Sequence, residues 1–167
     1  MLGADHPDTL RAAIEPAVSL AALGRDVEAT RQALDTQARC RRIFGPEHPQ
    51  TLAAAHCLAA VRHGAGDRAE GRRMHQDVLA RRTAALGPDH PDTLRSAFAV
   101  AVALLASGAV LPARTLLDET LGRLVIALGP EHPLTRNVRE RRRQARLLMG
   151  GTPGTRKKPP GRKRKRP

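Results

Sequence analysis

The apolar and polar positions of the chain recur with a period of 42 residues. Leu2, Phe44, Leu86 and Leu128 hold one phase of that period. Ala17, Ala59 and Ala101 hold a second, and Ala29, Gly71 and Ala113 a third. A polar signature runs between them: GADHPDTL from Gly3, GPEHPQTL from Gly45, GPDHPDTL from Gly87 and GPEHPLTR from Gly129. Each copy keeps a His (His6, His48, His90, His132), a Pro (Pro7, Pro49, Pro91, Pro133) and a Thr (Thr9, Thr51, Thr93, Thr135). An acid precedes each His, at Asp5, Glu47, Asp89 and Glu131, and a second glycine column falls at Gly24, Gly66, Gly108 and Gly150. A register kept this far apart is the mark of stacked supersecondary units.

Each unit reads as two helices. The prolines suit a first helical position, where the missing N–H costs nothing. Asp8 and Asp92 then fall in a first turn, where a negative charge suits the helix dipole. The first helix (A) runs to the second glycine column, which supplies a stop. The second (B) runs from about residue 27 to Phe44, and equivalently to Leu86 and Leu128. Gly-Pro then breaks the chain. Small residues at matched places in A and B let the two backbones approach closely. Pro16 lies inside the first A helix, where it removes a hydrogen bond and crowds the preceding turn, so that helix is expected to kink or start late. The pattern predicts an all-α, right-handed solenoid of antiparallel helix pairs. It has about three repeats plus a C-terminal capping helix.

Composition agrees with close-packed helices: 41% hydrophobic and only 1% aromatic. Charge changes the picture more. Residues 1–135 hold 15 Arg, no Lys and 15 acids, whereas residues 136–167 hold 14 basic residues and one acid, Glu140. The net charge of +13 therefore belongs to the C-terminal fifth, and the body is electrically ordinary. The N-terminal segment has an acid and a proline where a secretory signal would be apolar. The uncharged stretch 96–111, interrupted by Ser107 and Gly108, falls short of the roughly 20 residues a membrane span needs. Cys40 and Cys57 are expected to be reduced thiols of a cytoplasmic protein.

The layout resembles the tetratricopeptide repeat, whose small–small contact between helices A and B matches the Ala/Gly columns. The usual unit is about 34 residues. The 42-residue variant with the G-P-[DE]-H-P-x-T-L linker is similar to kinesin light chains and many bacterial repeat proteins, which are often attached to nucleotide-binding regulatory modules. The resemblance covers residues 1–150 and implies a non-catalytic scaffold that binds a protein segment in the groove of its A helices. The Ala/Arg-rich, Lys-poor body is also what a high-GC bacterial genome encodes.

Peptide-binding members carry Asn on the inner face of helix A. Here those places hold Ile14, Glu15 and Val18, then His56, Cys57 and Ala60, then Phe98, Ala99 and Val102. None is Asn, so an apolar groove is expected in place of a backbone clamp. Its candidate lining is Arg11, Ile14, Val18, His56, Ala60, His63, Arg95, Phe98 and Val102. Repeat 1 also offers Ile14, Val18 and Leu20 on a side with no preceding helix, which predicts self-association or marginal stability.

Other chemistry is weakly supported. One His per linker, 42 residues apart, cannot converge on a metal at about 2 Å. His56, Cys57, His63 and His75 form a looser cluster without a partner carboxylate, and read as packed or groove-lining side chains. No Gly-rich nucleophile elbow or phosphate loop occurs, so no enzyme activity, cofactor or metal is expected.

The fourth unit differs. Its A helix carries Arg136, Arg139, Arg141, Arg142, Arg143 and Arg146, with Arg143 in the column of Ala17, Ala59 and Ala101. It reads as a polar end cap whose packed side comes from Val138, Ala145, Leu147, Leu148 and Met149. Residues 151–167 offer nothing to a core and read as a disordered basic tail. The alternative to a protein-binding scaffold is a polyanion- or nucleic-acid-binding protein. It would act without sequence preference through Arg139, Arg142, Arg143, Arg146, Arg156, Lys157, Lys158, Arg162, Lys163, Arg164, Lys165 and Arg166. A third reading is a C-terminal fragment of a larger signalling regulator.

Overall fold

A computed structural model describes Gly3 and residues 6–150. Eight helices and no strand occur among the described residues: α1 (Pro7–Ala12), α2 (Ile14–Ala22), α3 (Asp26–Phe44), α4 (Pro49–Gly64), α5 (Arg68–Leu86), α6 (Pro91–Ala106), α7 (Val110–Leu128) and α8 (Pro133–Gly150). The A helices are α1–α2, α4, α6 and α8. The B helices are α3, α5 and α7. The first A helix is broken at Ala13. Pro16 has no N–H for the carbonyl of Ala12, and its ring crowds that oxygen.

The linker motif builds each helix start. The backbone N–H two residues on donates to Nδ1 of His6, His48, His90 and His132, at 3.2, 3.2, 3.1 and 3.2 Å. Histidine thus does the work usually given to Ser or Asp at an N-cap, and proline follows at the first turn. The preceding helix ends on glycine: Gly87 sits at φ 87°, where a side chain would be strained, and donates to the carbonyl of Thr83. The acid of the motif ties the start of its own unit to that unit's B helix. Arg81 on α5 pairs with Glu47 at 3.0 Å, and Arg123 on α7 repeats the arrangement with Asp89 at 3.5 Å.

Helices pack in chain order, and successive A helices also touch each other: α2 with α4, α4 with α6, α6 with α8. No B helix approaches the next to that extent. The A helices are therefore the shorter, inner rail of the stack, and the B helices the outer one. The columns of small residues sit where the hairpins close. Ala17, Ala59, Ala101, Ala29 and Ala113 are fully buried. At Gly71 an added Cβ would lie 2.8 Å from the carbonyl oxygen of Ala59 and from Cβ of His63. The core runs along the stack as linked clusters, centred on Ala29, Ala33 and Leu58 near one end and on Leu94, Leu117 and Leu124 near the other.

The fourth unit corrects one expectation. Val138 and Ala145 are fully buried against α7, but Leu147, Leu148 and Met149 are 67%, 61% and 38% exposed. Among the described residues only the side of α8 that faces α6 and α7 is covered, and these three residues lie off it. The basic tail at residues 151–167, including the candidate anion-binding positions 156–166, lies outside the described residues.

Candidate interaction face

The inner face is built from the positions of each A helix that neither B neighbour covers. Val18, Ala60 and Val102 occupy one column of the repeat, and Ile14, His56 and Phe98 the column one helical turn before it. Val18 and Ala60 are exposed and Val102 is half-buried. Ile14, His56, His63 and Phe98 are half-buried, with only one side open. Arg11 and Arg95 are exposed at the start of the face. They pair with Asp8 at 3.1 Å and Asp92 at 3.4 Å on their own helices.

These residues do not form one uniform strip. Ile14 is drawn into the core beside Ala17 and Leu58, and its carbonyl accepts a hydrogen bond from the Cys57 thiol at 3.4 Å. Cys57 thereby ties α2 to α4. Burial, with Glu15 nearby, pushes that thiol up to about 11, so it is an inert packing group. Cys40 is a second buried free thiol.

Two histidines meet inside the second hairpin. The rings of His56 on α4 and His75 on α5 lie 5.0 Å apart, tilted by 57°. The Nδ1 atoms of both, and of His63, are buried without a hydrogen-bond partner. Burial pushes His56 down to about 3, helped by His75, Arg82 and Arg95. Burial pushes His75 down to about 4, helped by His63. Among the described residues no three His, Cys, Asp or Glu side chains converge as metal ligands.

Comparison with known proteins decides the family. Two profiles of the tetratricopeptide repeat match, one over residues 9–50 and the other over residues 50–124. The chain is a tetratricopeptide repeat protein. Its repeats are of the kinesin-light-chain-like type. A crystal structure of nearly identical TPR-like repeats, assigned to a kinesin light chain of Podosopora anserina, superposes with a TM-score of 0.78 at 28% identity. The match covers 87% of this chain and 69% of that one. A second crystal structure of those repeats, carrying one substitution, gives a TM-score of 0.78 at 26% identity over 90% of this chain and 70% of that one. No curated protein matches significantly.

Sequence reasoning passed over one feature of these tetratricopeptide repeats. Arg82 on α5 is 3% exposed and donates to the carbonyl of Asp92 at 3.0 Å and to Oγ of Ser96 at 2.9 Å. Its column holds Cys40 and Leu124 in the neighbouring repeats, and His75 shares its own with Ala33 and Leu117. The signal lay in the register: the second repeat places a cation and a histidine where its neighbours place small or apolar residues. No described helix is long and apolar enough to cross a membrane.

Proposed function

We propose that the inner face of the A helices binds an apolar-centred segment of a partner protein, with no catalytic step. Tetratricopeptide repeats generally mediate protein–protein interaction, which supplies the class. The observation that favours this face is the open column Val18, Ala60 and Val102, aligned along the inner rail of the stack. The side chains there are short, so a partner could approach the helices closely, and the Arg11–Asp8 and Arg95–Asp92 pairs give one edge a polar rim. A photo-crosslinking residue at Ala60 or Val102 should capture a partner that the same residue at Ala84, exposed on α5, does not. Val102→Arg should abolish capture. Equal capture from both faces, or capture indifferent to Val102→Arg, would remove this reading.

A further inference from the structure

The four A helices differ most on the side each turns toward its own B helix. Four columns define that side in the register. The first is Leu10, Leu52 and Leu94, all buried; the second Ala13, Ala55 and Ala97; the third Ala17, Ala59 and Ala101; the fourth Leu20, Arg62 and Leu104. On α8 the same four columns read Arg136, Arg139, Arg143 and Arg146, and every one is exposed. Among the described residues no helix covers this side of α8.

The neighbouring wall is apolar. Leu79 and Thr83 on α5, Thr93, Leu94 and Ala97 on α6, and Leu116 and Thr120 on the following B helix, α7, line one cleft of the stack. One repeat on, the equivalents of Leu79 and Thr83 are Leu121, half-buried, and Val125, 39% exposed. Thr135, in the column of the cleft-lining Thr93, has its hydroxyl buried without a partner. The last two described helices thus form a seat for one helix, with an apolar strip from α7 beside a row of guanidinium groups from α8.

We propose that this seat takes an acidic amphipathic helix of a partner protein. Its apolar residues would lie on Leu121 and Val125, and its carboxylates would meet Arg136, Arg139, Arg143 and Arg146. Arginine forks suit carboxylates in paired hydrogen bonds. Residues 151–167 do not fit, since they contain no acid and no Leu, Ile, Val, Met or Phe. A second copy docking by the same face would set arginine against arginine. A nucleic-acid backbone would meet the guanidinium row but leave the apolar strip unmatched.

The test uses the full chain and two synthetic peptides of one composition. One places Leu and Glu on adjoining faces of a helix; the other scrambles them so that no such face exists. The basic tail attracts both peptides alike, so only the seat distinguishes them. The amphipathic peptide should bind about tenfold or more tighter. The combined change R136E, R139E, R143E and R146E should erase the difference while leaving helix content unchanged by circular dichroism. Val125→Glu, on a different helix, should also erase it, and provides a second route if the quadruple variant folds poorly. Equal binding of the two peptides would overturn the proposal, as would a preference that survives both variants. A duplex DNA whose affinity falls about tenfold in the quadruple variant, with no preference between peptides, would give the face to polyanions instead. Self-association in sedimentation that the quadruple variant abolishes would give it to a second copy.

Discussion

The linker histidines act through a single atom. Nδ1 of His90 takes the N–H of Asp92, one of four donors that a helix start leaves without an intrahelical partner. His90→Ala should therefore cost about 1 kcal/mol in urea unfolding, and His90→Asn, which keeps an acceptor at the cap, should recover most of it. The buried pair behaves differently. His56 and His75 protonate in the folded chain only near 3 and 4, against an ordinary 6.5. As pH falls through 6.5 the unfolded chain takes up these protons and the folded chain does not. Stability is thus complete above about 6.5 and falls as the pH drops toward 4, by up to about 1.4 kcal/mol per pH unit for each ring. His75→Leu copies Leu117, the fully buried residue of the same column in the third repeat. Melting curves at pH 7 and pH 5 should lie closer together in that variant than in the native chain.

Between elements, α4 and α5 approach closely at Gly71. In an ordinary helix interior Gly→Ala is stabilising by about 1 kcal/mol. Here the new Cβ would meet the backbone oxygen of Ala59 at 2.8 Å, which a rotamer change cannot relieve. Gly71→Ala should be destabilising by roughly 1–3 kcal/mol, the usual cost of overpacking. Gly122 on α7 is the control: it is exposed, and an added Cβ meets nothing within 4 Å. Gly122→Ala should stabilise by about 0.5–1 kcal/mol. Opposite signs from two helical glycines in one denaturation series would confirm that the interhelical gap, and not helix propensity, governs position 71.

In the molecule as a whole each helix is held by its neighbours in the stack, so stability is a sum over adjacent contacts. The second and third repeats are flanked on both sides. Among the described residues the broken α1–α2 helix packs on α3 and α4 alone, and the segment that follows it exposes Leu23 and Val27. Amide hydrogen exchange should be slowest in α4, α5 and α6 and fastest in α1 and α2, because local opening follows local contact. Uniform protection from α1 to α6 would show instead a single cooperative unit. Pro16→Ala should mend the break at Ala13 and raise protection first at the junction of α1 and α2, where the new N–H at position 16 donates to the carbonyl of Ala12.

Much of this architecture was legible in one dimension. The 42-residue register announced the hairpins, the prolines and glycines marked their ends, and Pro16 foretold the interruption of the first helix. Those features are written locally: a missing N–H, a permissive φ and a small side chain act on their own turn or on the adjacent helix, at a spacing the repeat states. Arg143 in an alanine column likewise announced a side of α8 that stays polar and exposed. Other properties depend on how hairpins stack, and no single column encodes them. The curvature that puts A helices on the inner rail comes from A–A contact across repeats. The meeting of His56 with His75 and the seating of Arg82 on Ser96 depend on side chains crossing between helices. Exposure of Leu147 and Leu148 follows from which side of α8 faces α7. An apolar residue near a helix end reads alike in the sequence whether or not a neighbour lies over it, and packing alone decides which side that neighbour takes.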